Sequence, residues 1–368
     1  MENQYLLFKE KKVLCRILFP ALYLFSLIYG FLSAAIKLAY GRNILRSYRP
    51  KLKVISVGNI TVGGSGKTPL VEWLVERLQK ENKKIGIVIR GYKRPAGSYK
   101  GLVKDNSSYF EIGDEASMLK EKFKGVKIGV GEDKAHSARL LEKEGCNVAI
   151  LDDGFQHWRL KRDLDIVVID ASLPLAGQRL LPLGRLREPL NSLKRADILC
   201  LTKTDISQDN YRQNVELLNK INPKALVTSA VYQALGLRDL KTGVLSAMDS
   251  DRFFNKPVFI LCGIANPLYF EKMVEGAGLM IKRKFIYPDH YQYKKADFSL
   301  IGKAAKDSGV NTVITTHKDA VRLKPFLGSL ENTDIFSLQV KLKITENEEA
   351  FYRRLLFILS RKDNIPNR

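Results

Sequence analysis

Residues 53–68 carry the sequence KVISVGNITVGGSGKT. The apolar run at 53–60 predicts a buried strand, and the glycine-rich residues after it predict a tight turn into a helix from Pro69. A strand, a turn and a helix in this order are the setting of the phosphate-binding loop G-x-x-x-x-G-K-[ST], here with Thr61 in place of the first glycine. The stretch therefore predicts an α/β protein built around a P-loop.

The turn supplies the groups that a chain of phosphates requires. Its glycines let backbone N–H groups point inwards, and the start of the next helix adds partial positive charge. Lys67 would reach the β- and γ-phosphates, and the Thr68 hydroxyl would bind Mg²⁺. The predicted nucleotide-binding residues are Thr61, Val62, Gly63, Gly64, Ser65, Gly66, Lys67 and Thr68.

Two adjacent acids end another apolar run. The runs at 148–153, 166–170 and 197–203 lack polar alternation, so they predict strands covered on both faces, as in a parallel sheet. Asp152 and Asp153 would then face the same crevice as the P-loop, where a carboxylate binds Mg²⁺ directly or through water. The sequence leaves open which of the two carboxylates does so.

The alternation of strands and helices resumes after residue 210 and continues to residue 360. We expect a P-loop NTPase-like α/β fold with a mostly parallel sheet, flanking helices, a smaller C-terminal α/β subdomain and an N-terminal membrane helix. The expected parts are an anchor with its basic flank at 1–50, a P-loop core at 51–205 and the C-terminal subdomain at 206–368.

An uncharged apolar segment precedes the P-loop, ILFPALYLFSLIYGFLSAAI at 17–36. At about 1.5 Å per residue, a helix of this length spans about 30 Å, the thickness of a bilayer core. The larger basic cluster follows the segment, which by the positive-inside rule places the body of the chain in the cytoplasm. A cleaved signal peptide is disfavoured because the segment exceeds a typical h-region, whereas a spanning helix and an interfacial helix both remain open.

The chain carries 61 Lys and Arg residues against 39 Asp and Glu residues, a formal net charge of +22. Such a field favours polyanions, namely nucleic acid, an anionic bilayer or a phosphorylated substrate. The sequence contains no aromatic RNP motif, zinc finger or low-complexity basic tail, so nucleic acid is not an expected partner. The four cysteines form no C-x-x-C pair, which is typical of reduced, cytosolic proteins.

Several motifs together resemble those of one enzyme family, the tetraacyldisaccharide 4′-kinases, also called lipid A 4′-kinases. The resemblance extends from the apolar segment to about residue 324. The chain departs from the family pattern at Tyr291, where a second histidine is common, and at His317, where glutamate is usual. The motifs are VGNITVGGSGKTP (57–69), RGY (90–92), GDE (113–115), DDGFQH (152–157), GRLREP (184–189), PDH (288–290) and THKDA (316–320).

The resemblance implies a kinase that uses ATP and Mg²⁺. Its substrate would be an anionic glycolipid, tetraacyldisaccharide 1-phosphate, which would receive the γ-phosphate of ATP on its 4′-hydroxyl to give lipid IVA, a step of lipid A biosynthesis. The enzyme would be membrane-associated, anchored by its N-terminal helix at the cytoplasmic face of the bacterial inner membrane.

The resemblance also implies roles for individual residues. A hydroxyl nucleophile needs a proton acceptor, and similarity to the family suggests Asp114 as general base, paired with His290 and acting with Lys67 and Asp153. Without the resemblance, Asp114 would more simply be an acid in the first turn of a helix. The expected substrate-binding residues are Asn59, Arg90, Tyr92, Glu115, Gln156, His157, Arg185, Arg187 and Glu188.

Arg185 and Arg187 lie in a loop rich in Gly, Pro and Arg at 172–190, called the basic loop below. They could grip the 1-phosphate of the substrate or the transferring γ-phosphoryl group. They could equally belong to a basic surface that meets anionic lipid headgroups. The leucines of the same loop fit contact with acyl chains or burial in the core, and the sequence does not distinguish these roles.

Residues 201–205, LTKTD, support a rival function. They follow a predicted strand and resemble the T-K-x-D element with which some P-loop GTPases bind guanine. A membrane-associated P-loop GTPase or ATPase of the metallocentre-assembly or targeting type is therefore the alternative, and the two functions differ in nucleotide preference.

Overall fold

The computed structural model describes residues 2–91, 100–107, 109–248, 253–329 and 333–361. Its α-helices are α1 (Glu2–Gly41), α2 (Lys67–Lys80), α3 (Tyr109–Ile112), α4 (Asp114–Lys122), α5 (Lys134–Lys143), α6 (Gln208–Ile221), α7 (Pro267–Gly276), α8 (Lys295–Ser308), α9 (His317–Leu323) and α10 (Glu348–Ser360). Its strands are β1 (Lys53–Gly58), β2 (Ile85–Ile89), β3 (Gly101–Leu102), β4 (Lys127–Val130), β5 (Val148–Asp152), β6 (Leu164–Asp170), β7 (Ile198–Thr202), β8 (Leu226–Asp239), β9 (Leu245–Ser246), β10 (Pro257–Cys262), β11 (Met280–Ile286), β12 (Thr312–Thr316) and β13 (Asp334–Glu346). Short 3₁₀ turns lie at Leu190–Arg195 and Lys324–Ser329.

One mixed sheet joins these strands. Its order is β11-β10-β12-β13-β8-β7-β6-β1-β5-β2-β4-β3, with β9 paired to β8. The pairs β3–β4, β8–β9 and β8–β13 are antiparallel, and the other pairs of the described residues are parallel. The expectation of a mostly parallel sheet with flanking helices is therefore confirmed.

The strand that precedes the P-loop lies inside the parallel part of the sheet. β1 has β5 on one side and β6 on the other. All residues of β2, β5 and β7 are buried, as expected for strands covered on both faces. Because β1 and β5 are parallel, with Val57 opposite Asp152, their carboxyl ends meet at one edge of the sheet. The P-loop and the two acids therefore lie beside each other.

A long antiparallel pair, β8 with β13, connects this part of the sheet to the C-terminal strands. The sequence predicted a strand at 225–231, but β8 continues to Asp239 because its second half pairs with β13 instead of entering a turn. The register of the ladder shifts between Gln339 and Val340, as it does at a β-bulge.

The C-terminal helix α10 packs against the P-loop part of the chain. Phe351 and Leu355 belong to the same buried cluster as Trp73 of α2, and the rings of Trp73 and Phe351 are 5.0 Å apart. Helix α10 therefore stabilises the fold around α2, although it lies outside the expected core at 51–205. The division of the chain at residue 205 stays a prediction.

The N-terminal helix α1 is 40 residues long, and the part from Leu18 onwards is apolar and largely exposed. Its segment Leu18–Gly41 has a mean hydropathy of 1.8 and is 6% buried, which makes it long and apolar enough to cross a bilayer. The helix extends beyond the predicted apolar segment at both ends. Its exposed apolar side chains include Leu24, Phe25, Leu27, Ile28, Phe31 and Leu32.

Candidate active site

A buried asparagine at the end of β1 holds the P-loop from beneath. Asn59 is fully buried, and its side-chain amide donates to the Thr61 carbonyl at 2.7 Å and to the Ser65 hydroxyl at 3.0 Å. Gln156, from the turn after the two acids, donates to the Asn59 carbonyl at 2.8 Å. Both side chains therefore fix the shape of the loop, and their expected contact with substrate stays a prediction.

The last turn of the P-loop requires glycine. Gly66 has a φ of 90°, in the left-handed region, and a Cβ built there would lie 1.8 Å from the Tyr232 hydroxyl. Tyr232 belongs to β8 and thus closes the underside of the loop. The Thr202 hydroxyl, at the end of β7, donates to the Ser65 carbonyl at 2.8 Å and fixes the loop from the same side.

We expect Gly66→Ala to lower nucleotide affinity by about tenfold or more, because the added methyl group displaces Tyr232 and the loop above it. The matched control is Gly125→Ala. Gly125 has a similar φ of 87°, but nothing among the described residues lies within 4 Å of its added Cβ. Both substitutions introduce backbone strain of about 1–2 kcal/mol, so the difference between the nucleotide affinities of the two variants reports the clash with Tyr232. Calorimetric titration with a non-hydrolysable ATP analogue measures it, and equal affinities would contradict this account.

The two acids after β5 occupy different environments. Asp153 lies 3.4 Å from the Lys67 ammonium and accepts two hydrogen bonds of 2.9 Å from the Arg187 guanidinium. Asp152 is buried, and its Oδ1 has no hydrogen-bond partner among the described residues. Lys134, buried at the start of α5, donates to the main-chain carbonyls of both acids at 2.7 Å. This lysine fixes the turn that carries the acids.

Electrostatics also distinguish the two carboxyls. Burial would raise the pKa of Asp153, but the charges of Lys67 and Arg187 hold it well below its usual range, so this carboxyl is ionised at neutral pH. Burial, with the nearby Glu115 carboxylate, raises the pKa of Asp152 to about 7. A further cation beside Asp152 would therefore be strongly favoured.

The oxygens at this edge of the sheet fit Mg²⁺. The ion prefers oxygen ligands and usually takes one or two carboxylates, with waters and phosphate oxygens in its other positions. The unpartnered Oδ1 of Asp152, the Asp153 carboxylate and the Thr68 hydroxyl in the first turn of α2 are ligands of this kind. The described part of the chain contains no cluster of three His, Cys, Asp or Glu residues that would form an all-protein metal site.

A histidine from the C-terminal part of the chain reaches the start of α4. His290 Nδ1 lies 3.0 Å from Asp114 Oδ2, and Lys318 donates to His290 Nε2 at 2.9 Å. Because Nε2 accepts from the lysine, Nδ1 carries the proton and donates to the Asp114 carboxylate. Burial would raise the pKa of Asp114, but the hydrogen bond from His290 and the charges of Lys318 and Arg322 lower it.

Glu115 connects this pair to the acids after β5. Its carboxylate lies 3.4 Å from the Lys318 ammonium, and its charge contributes to the raised pKa of Asp152. Glu115 thus places the Asp114–His290 pair near the two acids, which lie beside the P-loop.

A buried ion pair supports the loop that carries His290. Asp319 and Arg322 are both buried and lie 2.7 Å apart. Asp319 also accepts from the Gly263 N–H at 3.0 Å, and Arg322 donates to the carbonyls of Gly263 and Tyr291 at 3.2 and 2.9 Å. Since the His290 N–H donates to the same Gly263 carbonyl at 3.1 Å, the ion pair fixes the histidine loop.

We expect Asp319→Ala to lower the free energy of unfolding by about 3 kcal/mol, because buried Arg322 loses its nearer carboxylate and keeps, among the described carboxylates, only Asp114 at 3.8 Å. Asp307→Ala, on an exposed side of α8, should change it by less than about 0.5 kcal/mol. Urea denaturation of both variants measures the difference. Similar stabilities would show that the ion pair contributes little.

The basic loop lies over the P-loop. The Val62 N–H donates to the Arg185 carbonyl at 2.8 Å, and the Arg185 guanidinium donates back to the Val62 carbonyl at 3.1 Å. Glu188 is buried and paired with Arg195 at 2.6 Å. Arg187 therefore faces the acids, Arg185 faces the P-loop backbone, and Glu188 faces the interior.

Other expected substrate-binding residues lie around this crevice. Arg90, at the end of β2, is exposed and lies 3.8 Å from Glu132. Burial lowers the pKa of His157 to about 4, so its imidazole is neutral at pH 7. Tyr92 lies outside the described residues. The contact of all three with substrate stays a prediction.

Sequence reasoning did not assign Lys134 and Lys318, two lysines of the crevice. Lys318 lies inside the THKDA motif, so the sequence did indicate that this lysine could lie near the site. Lys134 is an isolated lysine at a helix start, and the sequence offers no signal for its burial.

Lys203 and Asp205 of the T-K-x-D element contact neighbouring protein groups, and Lys203 contacts the P-loop itself. The Lys203 ammonium pairs with Asp170 and donates to the Gly64 carbonyl at 2.8 Å. Asp205 accepts a hydrogen bond of 3.3 Å from the Tyr269 hydroxyl. Both residues therefore have structural partners beside the nucleotide loop.

Comparison with known proteins identifies relatives over nearly the whole chain. The profile of the family described as Tetraacyldisaccharide-1-P 4′-kinase matches residues 18–359. The chain belongs to this family. The tetraacyldisaccharide 4′-kinase of Halothermothrix orenii is 35% identical over 337 residues, which cover 86% of this chain and 88% of that protein. The Vibrio vulnificus enzyme of the same name is 33% identical over 312 residues, 84% of each chain.

A solved structure of the tetraacyldisaccharide 4′-kinase family has the same fold. The LpxK crystal structure from Aquifex aeolicus, in complex with ATP, superposes with a TM-score of 0.72 at 28% identity, over 94% of this chain and 99% of that one. Membership of the tetraacyldisaccharide 4′-kinase family makes this chain an enzyme of the kinase class. The GTPase alternative is not favoured.

Proposed function

We propose that this kinase transfers the γ-phosphate of ATP to the 4′-hydroxyl of tetraacyldisaccharide 1-phosphate, forming lipid IVA in lipid A biosynthesis. One observation carries the proposal: the Glu115 carboxylate, next to Asp114 in the chain, is close enough to Asp152 to raise its pKa, so the Asp114–His290 pair lies near the acids that follow β5. Phosphoryl transfer to an alcohol needs a proton acceptor beside a phosphate-binding loop. The names of the relatives support a tetraacyldisaccharide as the phosphate acceptor. The ATP bound in the Aquifex aeolicus structure supports ATP as the phosphate donor.

The nucleotide occupies the P-loop side of the crevice in this proposal. Backbone N–H groups of the glycine-rich turn would face the phosphates, except those of Val62 and Ser65, which donate to main-chain carbonyls. Lys67, 3.4 Å from Asp153, would reach the γ-phosphate. Thr68, Asp152 and Asp153 would hold Mg²⁺, which neutralises charge on the phosphate oxygens when bound.

Asp114 receives the proton of the attacking hydroxyl. Its lowered pKa keeps it ionised at neutral pH. The His290 N–H at 3.0 Å holds one carboxylate oxygen in place, and Lys318 fixes the imidazole from the opposite nitrogen. As the 4′-oxygen attacks phosphorus, the proton passes to Asp114 and the bond from phosphorus to the ADP oxygen breaks.

Arg187 is placed for the transferring phosphoryl group. Its guanidinium contacts Asp153, which also contacts Lys67. The 1-phosphate of the acceptor lies on the other sugar from the 4′-hydroxyl, so it sits away from the site of transfer. A guanidinium beside the metal-side carboxylate therefore stabilises charge on the γ-phosphoryl group.

We place the reaction at the cytoplasmic face of the bacterial inner membrane, with α1 in the lipid. ATP is a cytoplasmic substrate, and the acceptor carries acyl chains that belong in a bilayer. The exposed apolar side chains of α1 and the net charge of +22 support contact with an anionic lipid surface.

We expect Leu27→Lys to reduce binding to anionic phospholipid vesicles by about tenfold or more, because a charge at the centre of an apolar helix costs about 2.5–3.5 kcal/mol in lipid. The matched control is Leu235→Lys on β8. Leu235 is 48% exposed and Leu27 is 54% exposed, so both changes add the same charge to an exposed leucine. Flotation of both variants with vesicles measures the bound fraction. Equal flotation would show that α1 is not the anchor.

Labelled ATP tests the proposed function directly. The full chain, in mixed micelles, should transfer label to tetraacyldisaccharide 1-phosphate and not to the same lipid with its 4′-hydroxyl blocked. Transfer that ignores the block, or label that appears only as free phosphate, would contradict the proposal.

A further inference from the structure

One face of the apolar helix α1 is covered by the rest of the chain. Within 18–36, the residues that are not exposed are Leu22, Ser26, Tyr29, Gly30 and Ser33. They recur every three or four residues, so they form a single stripe along the helix. The opposite side of the helix carries the exposed apolar side chains, so the stripe is its docking surface.

The stripe docks on the basic loop through two hydroxyl groups. Ser26 Oγ donates to the Leu180 carbonyl at 3.1 Å, and Tyr29 Oη donates to the Arg187 carbonyl at 2.9 Å. Gly30 permits the close approach, since a Cβ there would lie 2.9 Å from the Leu180 side chain. A helix that is otherwise apolar therefore makes directional contacts with the loop that covers the P-loop.

Arg187 is fixed at three points, and α1 supplies one of them. Its N–H donates to the Ile60 carbonyl at 2.7 Å, beside the P-loop. Its guanidinium donates twice to Asp153 at 2.9 Å. Its carbonyl accepts from Tyr29. Arg187 thus links the Tyr29 hydroxyl of α1 to the Asp153 carboxylate of the transfer site.

With α1 in lipid, as proposed above, the bilayer would strengthen this contact. A hydroxyl without a partner is costly in an apolar phase, so Ser26 and Tyr29 favour the docked state once α1 lies in lipid. We propose that Tyr29, assisted by Ser26, is a positioning residue that holds the Arg187 guanidinium against Asp153, so that the membrane helix is a structural part of the transfer site. The inference rests on the proposed roles of Arg187 and Asp153.

The test uses the full chain with anionic phospholipid vesicles. Tyr29→Phe removes the hydroxyl and keeps the ring, and we expect kcat to fall about tenfold through misplacement of Arg187. KM for the glycolipid and the vesicle-bound fraction should stay within about twofold of the original chain. Tyr23→Phe is the matched control, because Tyr23 lies on the same helix and is 46% exposed. It should leave kcat unchanged.

A double-mutant cycle shows whether Tyr29 acts through Arg187. Arg187→Lys should lower kcat on its own, and Tyr29→Phe added to it should cause little further loss. Additive losses, a normal kcat in Tyr29→Phe, or a kcat that falls only in step with vesicle binding would each overturn the inference. Normal turnover in Arg187→Lys would instead refute the proposed role of Arg187, and the inference with it.

Discussion

Asp114→Asn is expected to lower kcat by about 10³-fold while affinity for an ATP analogue stays unchanged. Asparagine keeps the shape of the side chain and can still accept a hydrogen bond from His290, but it takes up no proton. General-base catalysis contributes about 10²–10⁴-fold, so its loss should dominate the rate. Single-turnover transfer of labelled phosphate measures the chemical step apart from binding.

Two further variants make this result specific. Glu121→Gln changes an exposed acid of the same helix and should leave the rate unchanged. His290→Gln should cause a smaller loss than Asp114→Asn, because the base remains but loses its orienting donor. Near-normal turnover in Asp114→Asn would remove Asp114 from the mechanism.

Lys67→Met should lower kcat by about 10²–10³-fold and weaken ATP binding as well. Methionine fills a similar volume without the ammonium that lies 3.4 Å from Asp153. The lost charge would have stabilised the phosphates and would have helped to keep Asp153 ionised. Initial rates over a range of ATP concentrations separate the effect on KM from the effect on kcat.

Lys80→Met is the control for this change. Lys80 is exposed at the opposite end of α2, so the same substitution alters the net charge equally without touching the loop. A similar loss in both variants would point to the charge of the whole protein rather than to the site. Normal turnover in Lys67→Met would refute the P-loop assignment.

The nucleotide side of the crevice could be predicted because its signals are local. Strand, turn and helix follow one another within 53–80, and glycine spacing with a Lys-Thr pair specifies a phosphate loop. The acids at the end of β5 followed from an apolar run and the rule that parallel strands end at one edge. These inferences need no knowledge of distant contacts.

The base side of the crevice could not be predicted in this way. Asp114 and His290 are 176 positions apart, and only the resemblance to a known family named them together. Lys134 has no distinguishing neighbours among the 61 basic residues, and its role depends on burial that the amphipathic pattern of α5 does not reveal. The length of β8 likewise depends on pairing with β13, a strand almost a hundred residues later.

The register shift between Gln339 and Val340 has a consequence for proton transfer. It lies in the two-stranded ribbon that joins the half holding Asp114 to the half holding His290. Two-stranded ribbons twist more strongly than wide sheets, so the twist of this ribbon helps to set how the two groups of strands are oriented. The 3.0 Å contact between Asp114 and His290 therefore depends on a stretch of backbone that carries neither residue.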